Sequence, residues 1–385
     1  MKFQQYFTQG SFNDLIKISY ITNVEKEEIP CLDVLSNLLL EGTVTLENKI
    51  EFNKNLFRNF GSSLLISITT ISNKLCLTFI TESINKKYID DSYDIKGNVI
   101  DILFDTINNA KILSRDITDK RLNIVKNKIL NSMCEDTSTE ALIEEINYKD
   151  YNYEESLMKV TLEDIRNLYI KILTKGRVVV QEITDEENDI LIEKVKKAMC
   201  KSTEENNKIE YKSLPDDICY VEKTSDLDNT RLDFVLQCDK EITSRNNAII
   251  DVVEEVLNDY MFRIIREENC LSYNPHAYYN IDNNTIVLSA NIEKHNKDKT
   301  LELMYEIAND FINGNIDDRL LRRTLKKINN IKMFRNMSNY DLSEIHLENE
   351  ILGITDVDEE QITIDEIKQY AKDHQLKIIY YLGGN

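Results

Sequence analysis

Ser62-Ser-Leu-Leu-Ile-Ser-Ile-Thr-Thr-Ile71 and Leu75-Cys-Leu-Thr-Phe-Ile-Thr-Glu82 are two apolar runs of strand length separated by Ser72-Asn73. Their β-branched content and the turn-forming pair between them predict an antiparallel hairpin. A second stretch has the same form. Leu271 to Ile281 is followed by Asp282-Asn283-Asn284 and then by Thr285 to Ile292, in which Ile286, Leu288, Ala290 and Ile292 alternate as in a half-buried strand. The two hairpins lie about 200 residues apart, the kind of spacing that marks a duplicated domain.

The surroundings of the hairpins repeat as well. Before the first come a short strand, Leu15 to Ile21, and a helix opened by Pro30 that runs from Cys31 to Leu40. That helix buries Leu32, Leu35, Leu38 and Leu39 and stops at Gly42. A helical stretch over about 46–59 follows it. After the hairpin, periodicity predicts helices over 95–111, 119–133 and 161–174, the strand Arg177-Val-Val-Val-Gln-Glu182 and a helix over 185–200. The second half offers a strand from Leu232 to Gln237 and a long helix capped by Thr243 that reaches about Glu268. Its hairpin is followed by helices over 297–313, 317–335 and 339–352, a short helix after Thr363 and the strand Leu376 to Leu382. Residues 201–214 are polar and unpatterned and read as a linker. The expected fold is α+β, with two homologous domains at 1–200 and 215–385, each a mostly antiparallel sheet packed against helices. Identity between the halves is slight, so two unrelated α+β domains stand as the alternative.

Composition narrows the function. A formal net charge of -21 disfavours nucleic acid and anionic membrane surfaces as main partners. The seven cysteines are dispersed without a C-x-x-C pair, as in a reduced cytoplasmic protein, and the N-terminus has no signal-type apolar core. No apolar run approaches the roughly 18 residues that a membrane-spanning helix needs. Nor is there a P-loop or a G-x-G-x-x-G.

Leu32-Asp-Val-Leu-Ser-Asn-Leu-Leu-Leu-Glu-Gly-Thr43 resembles the active-site helix of the pitrilysin or insulinase-type zinc peptidases, where H-x-x-E-H stands five residues before a Gly-Thr. Setting Gly42-Thr43 on that Gly-Thr places Asp33, Ser36 and Asn37 where the family has its two His ligands and its Glu base. Phe60-Gly61 followed by a hairpin, and the element order of both halves, are similar to the family too. Catalytic zinc needs three protein ligands and an open position for water, and H-x-x-E-H works because i and i+4 project from one helix face. Asn37 is a poor zinc ligand and Ser36 is no base. The family takes its third ligand, a Glu, from a later helix, whereas Lys120 to Cys134 has no carboxylate; the first half also lacks histidine altogether. The resemblance therefore implies a degenerate zinc motif, with no catalytic residue and no metal site in this chain.

Arg266-Glu-Glu-Asn-Cys-Leu-Ser-Tyr273 carries the positive part of the resemblance. It is similar to the family's Arg/Tyr pair, which contacts bound peptide from the domain facing the zinc. A guanidinium and a phenol both donate to peptide carbonyls or to an oxyanion, and the adjoining strand edge offers β-pairing. His276 lies close enough in sequence to join them in lining a peptide groove. An Arg near a helix end and a Tyr in a strand are also ordinary structural choices.

Other candidates are weaker. His346 and Glu350 share a helix face at i, i+4 but lack a third ligand. Cys270 and His276 have no orienting partner for thiol catalysis. Arg319 to Arg323 with Lys326-Lys327 form a basic helix face, either solvated or suited to an acidic partner. The resemblance as a whole implies a non-catalytic, substrate-positioning subunit of a heterodimeric zinc peptidase acting on peptides, with leader-peptide or modified-peptide maturation among the roles it suggests. Its partner, of similar size, would carry H-x-x-E-H and the zinc, and the two would close around a chamber as a clam shell. A scaffold or peptide-binding protein with no part in proteolysis is the alternative.

Overall fold

The computed structural model describes residues 2–7, 11–39, 41–46, 48–89, 93–114, 116–133, 137–147, 151–185, 191, 193–195, 209–212, 214–225, 230–334, 338–355 and 362–384. It forms two compact units, which exchange one segment each across the two halves of the sequence. One unit comprises 1–134, 151–209 and 337–351 and the other 135–150, 210–336 and 352–385, so the main division, between 209 and 210, falls inside the stretch expected as linker. Each unit takes one helix from the other half of the sequence.

The first unit contains β1 (Lys2–Phe7), β2 (Asn13–Asn23), α1 (Ile29–Leu39), α2 (Lys49–Arg58), β3 (Ser63–Ile71), β4 (Lys74–Ile84), α3 (Ile95–Asn108) and α4 (Asp119–Ser132). After α5 (Thr139–Asn147), which belongs to the second unit, the chain returns with α6 (Tyr153–Lys159), α7 (Leu162–Lys175) and β5 (Arg177–Thr184). The second unit continues with β6 (Cys219–Ser225), β7 (Thr230–Cys238), α8 (Ser244–Tyr260), a π-helical continuation (Met261–Glu268), β8 (His276–Asn280) and β9 (Thr285–Ile292). It closes with α9 (Lys297–Ile312), α10 (Asp318–Phe334), α12 (Ile364–Lys372) and β10 (His374–Gly384), while most of α11 (Asn339–Leu352) joins the first unit.

The two sheets have one topology. Strand order is β1-β5-β2-β4-β3 in the first and β6-β10-β7-β9-β8 in the second. In each, the pair at one edge is parallel and the other pairings are antiparallel. Two five-stranded, mostly antiparallel sheets packed with helices are the α+β architecture that the paired hairpins predict.

Period-two alternation assigns the faces. Ile16, Ile18 and Tyr20 of β2 pack with Leu32, Leu35, Leu38 and Leu39 of α1 in the core beneath the helices. On the opposite face, Ile21, Cys76 and Val179 meet Leu347 and Ile351 of α11, and the fully buried Lys17 ammonium reaches Glu344 at 2.6 Å. The second unit repeats the plan. Leu232, Phe234, Ile286 and Leu288 face α8, whereas Val235, Val287, Ile378 and Tyr380 face Leu142 and Ile143 of α5.

The structure corrects several sequence expectations. The long helix is α-helical only to Tyr260 and π-helical from Met261. The strand expected over Leu271 to Ile281 shortens to His276–Asn280, with Ser272 making an isolated bridge to Ile292. β1 and β6, the parallel edge strands, were not anticipated. Leu214, expected in the linker, is buried against the second sheet with Val235 and Tyr380. Residues 201–208 and 213 of that linker, and most of the helix expected at 185–200, lie outside the described residues.

Candidate functional site

α1 presents Asp33, Ser36 and Asn37 on its one half-buried face, because Leu32, Val34, Leu35, Leu38 and Leu39 occupy the rest with core contacts. All three polar side chains have partners. The Ser36 hydroxyl donates to the Asp33 backbone carbonyl at 2.8 Å and the Asn37 amide donates to the same oxygen at 3.0 Å, so both turn back onto their own helix. Lys128 of α4 donates its ammonium to the Asn37 side-chain oxygen at 2.9 Å. Tyr153, at the start of α6, donates its phenol to the Asp33 carboxylate.

The charge pattern is the reverse of a cation site. Burial raises the Asp33 carboxyl above its ordinary range, partly offset by the phenol. Burial, reinforced by Asp33, pushes Tyr153 well up, so the phenol stays protonated as a donor. Zinc requires converging lone pairs on deprotonated ligands. Here a hydrogen-bond donor and a fixed ammonium point at the two candidate acceptors, and a divalent ion would meet Lys128 in repulsion. The donor set does not fit zinc. Among the described residues, no group of three His, Cys, Asp or Glu side chains could hold a metal. Lys128 and Tyr153 were not legible as members of this site, since they lie 91 and 120 positions from the residues they contact.

Arg266 and Tyr273 are brought together. Arg266 leaves the π-helical turn with its guanidinium carbon 4.8 Å from the Tyr273 ring centroid and 4.8 Å from that of Phe262. Between two aromatic faces the cation is held by its attraction to both ring quadrupoles. The reversal that brings Tyr273 back is made by Cys270 in the left-handed region, with its N–H bonded to the Arg266 carbonyl and that of Leu271 to Ile265. Tyr273 is 84% exposed. Neither the guanidinium nor the phenol has a hydrogen-bond partner among the described residues, so both retain donors for an incoming acceptor. Phe262 is the member that sequence reading missed; its signal is an aromatic four residues before the Arg on one helix.

His276 does not join the pair. It lies opposite Ser289, on the sheet face turned toward α5, and stacks on Tyr278 at 5.8 Å. Arg266 lies in the π-helical continuation of α8, and Tyr273 in the turn between it and β8. The expected pairing edge is also occupied. Asn258 of α8 accepts from the Ala277 N–H at 2.8 Å and donates to the Ala277 carbonyl at 2.9 Å, while Glu254 accepts from the Tyr279 N–H at 3.1 Å. Side chains of α8 thus cap the outward backbone groups of β8, one way in which sheets blunt an exposed edge. A peptide adding a strand at 277–279 would have to displace them.

A family profile described as the Peptidase M16 inactive domain matches residues 159–328. That match covers less than half of the chain, and likeness to solved structures extends the fold to the rest. M16-type architecture extends along the whole chain. A conserved protein from Enterococcus faecalis superposes with a TM-score of 0.84 at 18% identity, covering 100% of this chain and 96% of its own. A peptidase M16 inactive domain from Pseudomonas fluorescens gives 0.75 at 12% identity, with 100% and 95% covered. The periplasmic protease PqqL from Escherichia coli gives 0.72 at 10% identity, and this chain, wholly covered, corresponds to 46% of it. No curated protein sequence matches. Among the described residues, no helix is long and apolar enough to cross a membrane.

Proposed function

We propose that this chain is an M16-type protein, the non-catalytic, substrate-positioning subunit of a heterodimeric zinc peptidase acting on peptides in a reducing, cytoplasmic setting. The observation that carries the proposal is a contrast. The α1 face at Asp33, Ser36 and Asn37 is closed by the chain's own donors, whereas the half-buried Arg266 is in contact with Tyr273, which is open to solvent. A chain that keeps the second feature without the first suits the part of a two-subunit enzyme that grips peptide while its partner supplies zinc, ligands and base. The match to about half of the protease PqqL agrees with a chain of half-enzyme size. Arg266 and Tyr273 would donate to substrate carbonyls or to the oxyanion formed at the partner's zinc.

The test uses this chain together with a co-encoded subunit of similar size carrying H-x-x-E-H, assayed on quenched fluorescent peptides. Arg266→Ala and Tyr273→Phe are expected to lower kcat/KM by about tenfold or more without weakening subunit association. Unchanged cleavage in both variants would leave a scaffold role, a reading that the capped edge of β8 favours.

A further inference from the structure

α10 carries Arg319, Arg322, Arg323, Lys326 and Lys327 at the spacing of one helical stripe, opposite the buried side formed by Leu320, Leu321, Thr324 and Ile328. Like charges at i, i+3 and i, i+4 repel, so the stripe does not serve the helix itself. Two of the five cations are answered by α8. Arg323 is paired with Asp259 at 2.5 Å, and Lys327 is paired with Glu255. Asp318, the first-turn carboxylate beside Arg322, is already held by Lys368 at 2.6 Å. Arg319, Arg322 and Lys326 make no side-chain hydrogen bond or ion pair among the described residues. With Arg263, itself paired with Glu268 at 3.6 Å, they line a groove of about 570 Å³ together with Tyr260, Leu320 and two carboxylates already engaged: Asp259 by Arg323, and Asp317 by the Arg319 backbone N–H at 2.7 Å.

We infer that this groove binds a short acidic polypeptide segment through side-chain carboxylates. Arginine forks match carboxylates in bidentate geometry, and the Tyr260 ring and Leu320 supply apolar contact for the segment's backbone and methylenes. The chain's net charge of -21 selects the occupant's length. Screening confines the attraction to about 8–10 Å around the patch, and a longer polyanion such as RNA would extend over acidic surface that repels it. The inference is independent of Arg266 and Tyr273, which lie outside the groove lining.

The experiment is fluorescence anisotropy with the full chain and a labelled Asp/Glu-rich peptide, its Asn/Gln counterpart, and an oligonucleotide of equal charge. The acidic peptide is expected to bind at low salt and to weaken as salt rises. The exposed substitutions Arg319→Glu, Arg322→Glu and Lys326→Glu, combined, are expected to weaken binding by about tenfold or more. The milder Arg322→Gln/Lys326→Gln pair should give a smaller loss in the same direction, and Arg266→Ala should bind as the parent does. No acidic-peptide binding at low salt, binding indifferent to both groove variants, or tighter binding of the oligonucleotide would overturn the inference.

Discussion

His374 gives the fold a dependence on acid that can be worked through. It opens β10 and is 1% exposed, with the rings of Tyr370 and Phe311 edge-on at 4.9 and 5.3 Å. Its Nδ1–H donates to the Tyr370 carbonyl at 3.0 Å, while Nε2 is buried with no hydrogen-bond partner among the described residues. A second proton would therefore have nowhere to bond, and burial lowers the imidazole from 6.5 to about 4. Above pH 6.5 the folded and unfolded chains both hold a neutral ring, and the contribution is fully present. As pH falls through 6.5 only the unfolded chain takes up a proton, so stability drains away until the folded pKa is reached. The linkage amounts to about 2 kcal/mol lost by about pH 5 and about 3 kcal/mol by about pH 4. Urea denaturation followed by far-UV circular dichroism suits a chain without Trp. His374→Gln should lose about 2 kcal/mol less than the parent between about pH 7.5 and about pH 5. If parent and variant lose the same amount to within about 0.5 kcal/mol, the neutral buried imidazole is wrong.

Tyr153→Phe removes the phenol bonded to the half-buried Asp33 carboxylate and should cost about 1–3 kcal/mol, read as a lowered melting temperature. Leu35→Ala opens a cavity between α1 and the first sheet, where Leu35 is fully buried, and should cost about 2–5 kcal/mol in the same assay. Restoring the motif letters by Asp33→His, Ser36→Glu and Asn37→His should still give no tightly held zinc. α4 supplies Lys128 rather than a carboxylate on that face, and calorimetric zinc titration of the triple variant checks this.

The sequence declared the parts of the fold that rest on local pattern. Ser72-Asn73 and Asp282-Asn283-Asn284 punctuate strongly alternating strands, and both hairpins form where that punctuation places them. β1 and β6 were missed because edge strands carry little burial signal: Lys2–Phe7 is Lys-Phe-Gln-Gln-Tyr-Phe, and Cys219–Ser225 is mostly polar. The placement of α5 and α11 on the sheet of the opposite half was invisible for another reason. Their apolar stripes say that something is buried, not against which sheet. At the site, local spacing located Arg266 and Tyr273 and the polar face of α1. It could not reveal Lys128 over Asn37, the phenol on Asp33, or the capping of β8 by Asn258 and Glu254, which are tertiary contacts. Proximity in sequence likewise could not show that alternation along β8 places His276 on the sheet face toward α5.

The central claim is that the α1 face is a closed, donor-filled surface and not a metal centre. Metal analysis of the purified chain, loaded with equimolar zinc and then passed into metal-free buffer, tests it most directly. Far less than one zinc per chain is expected, with no difference between the parent and Asp33→Ala. One retained zinc per chain that Asp33→Ala abolishes would contradict it.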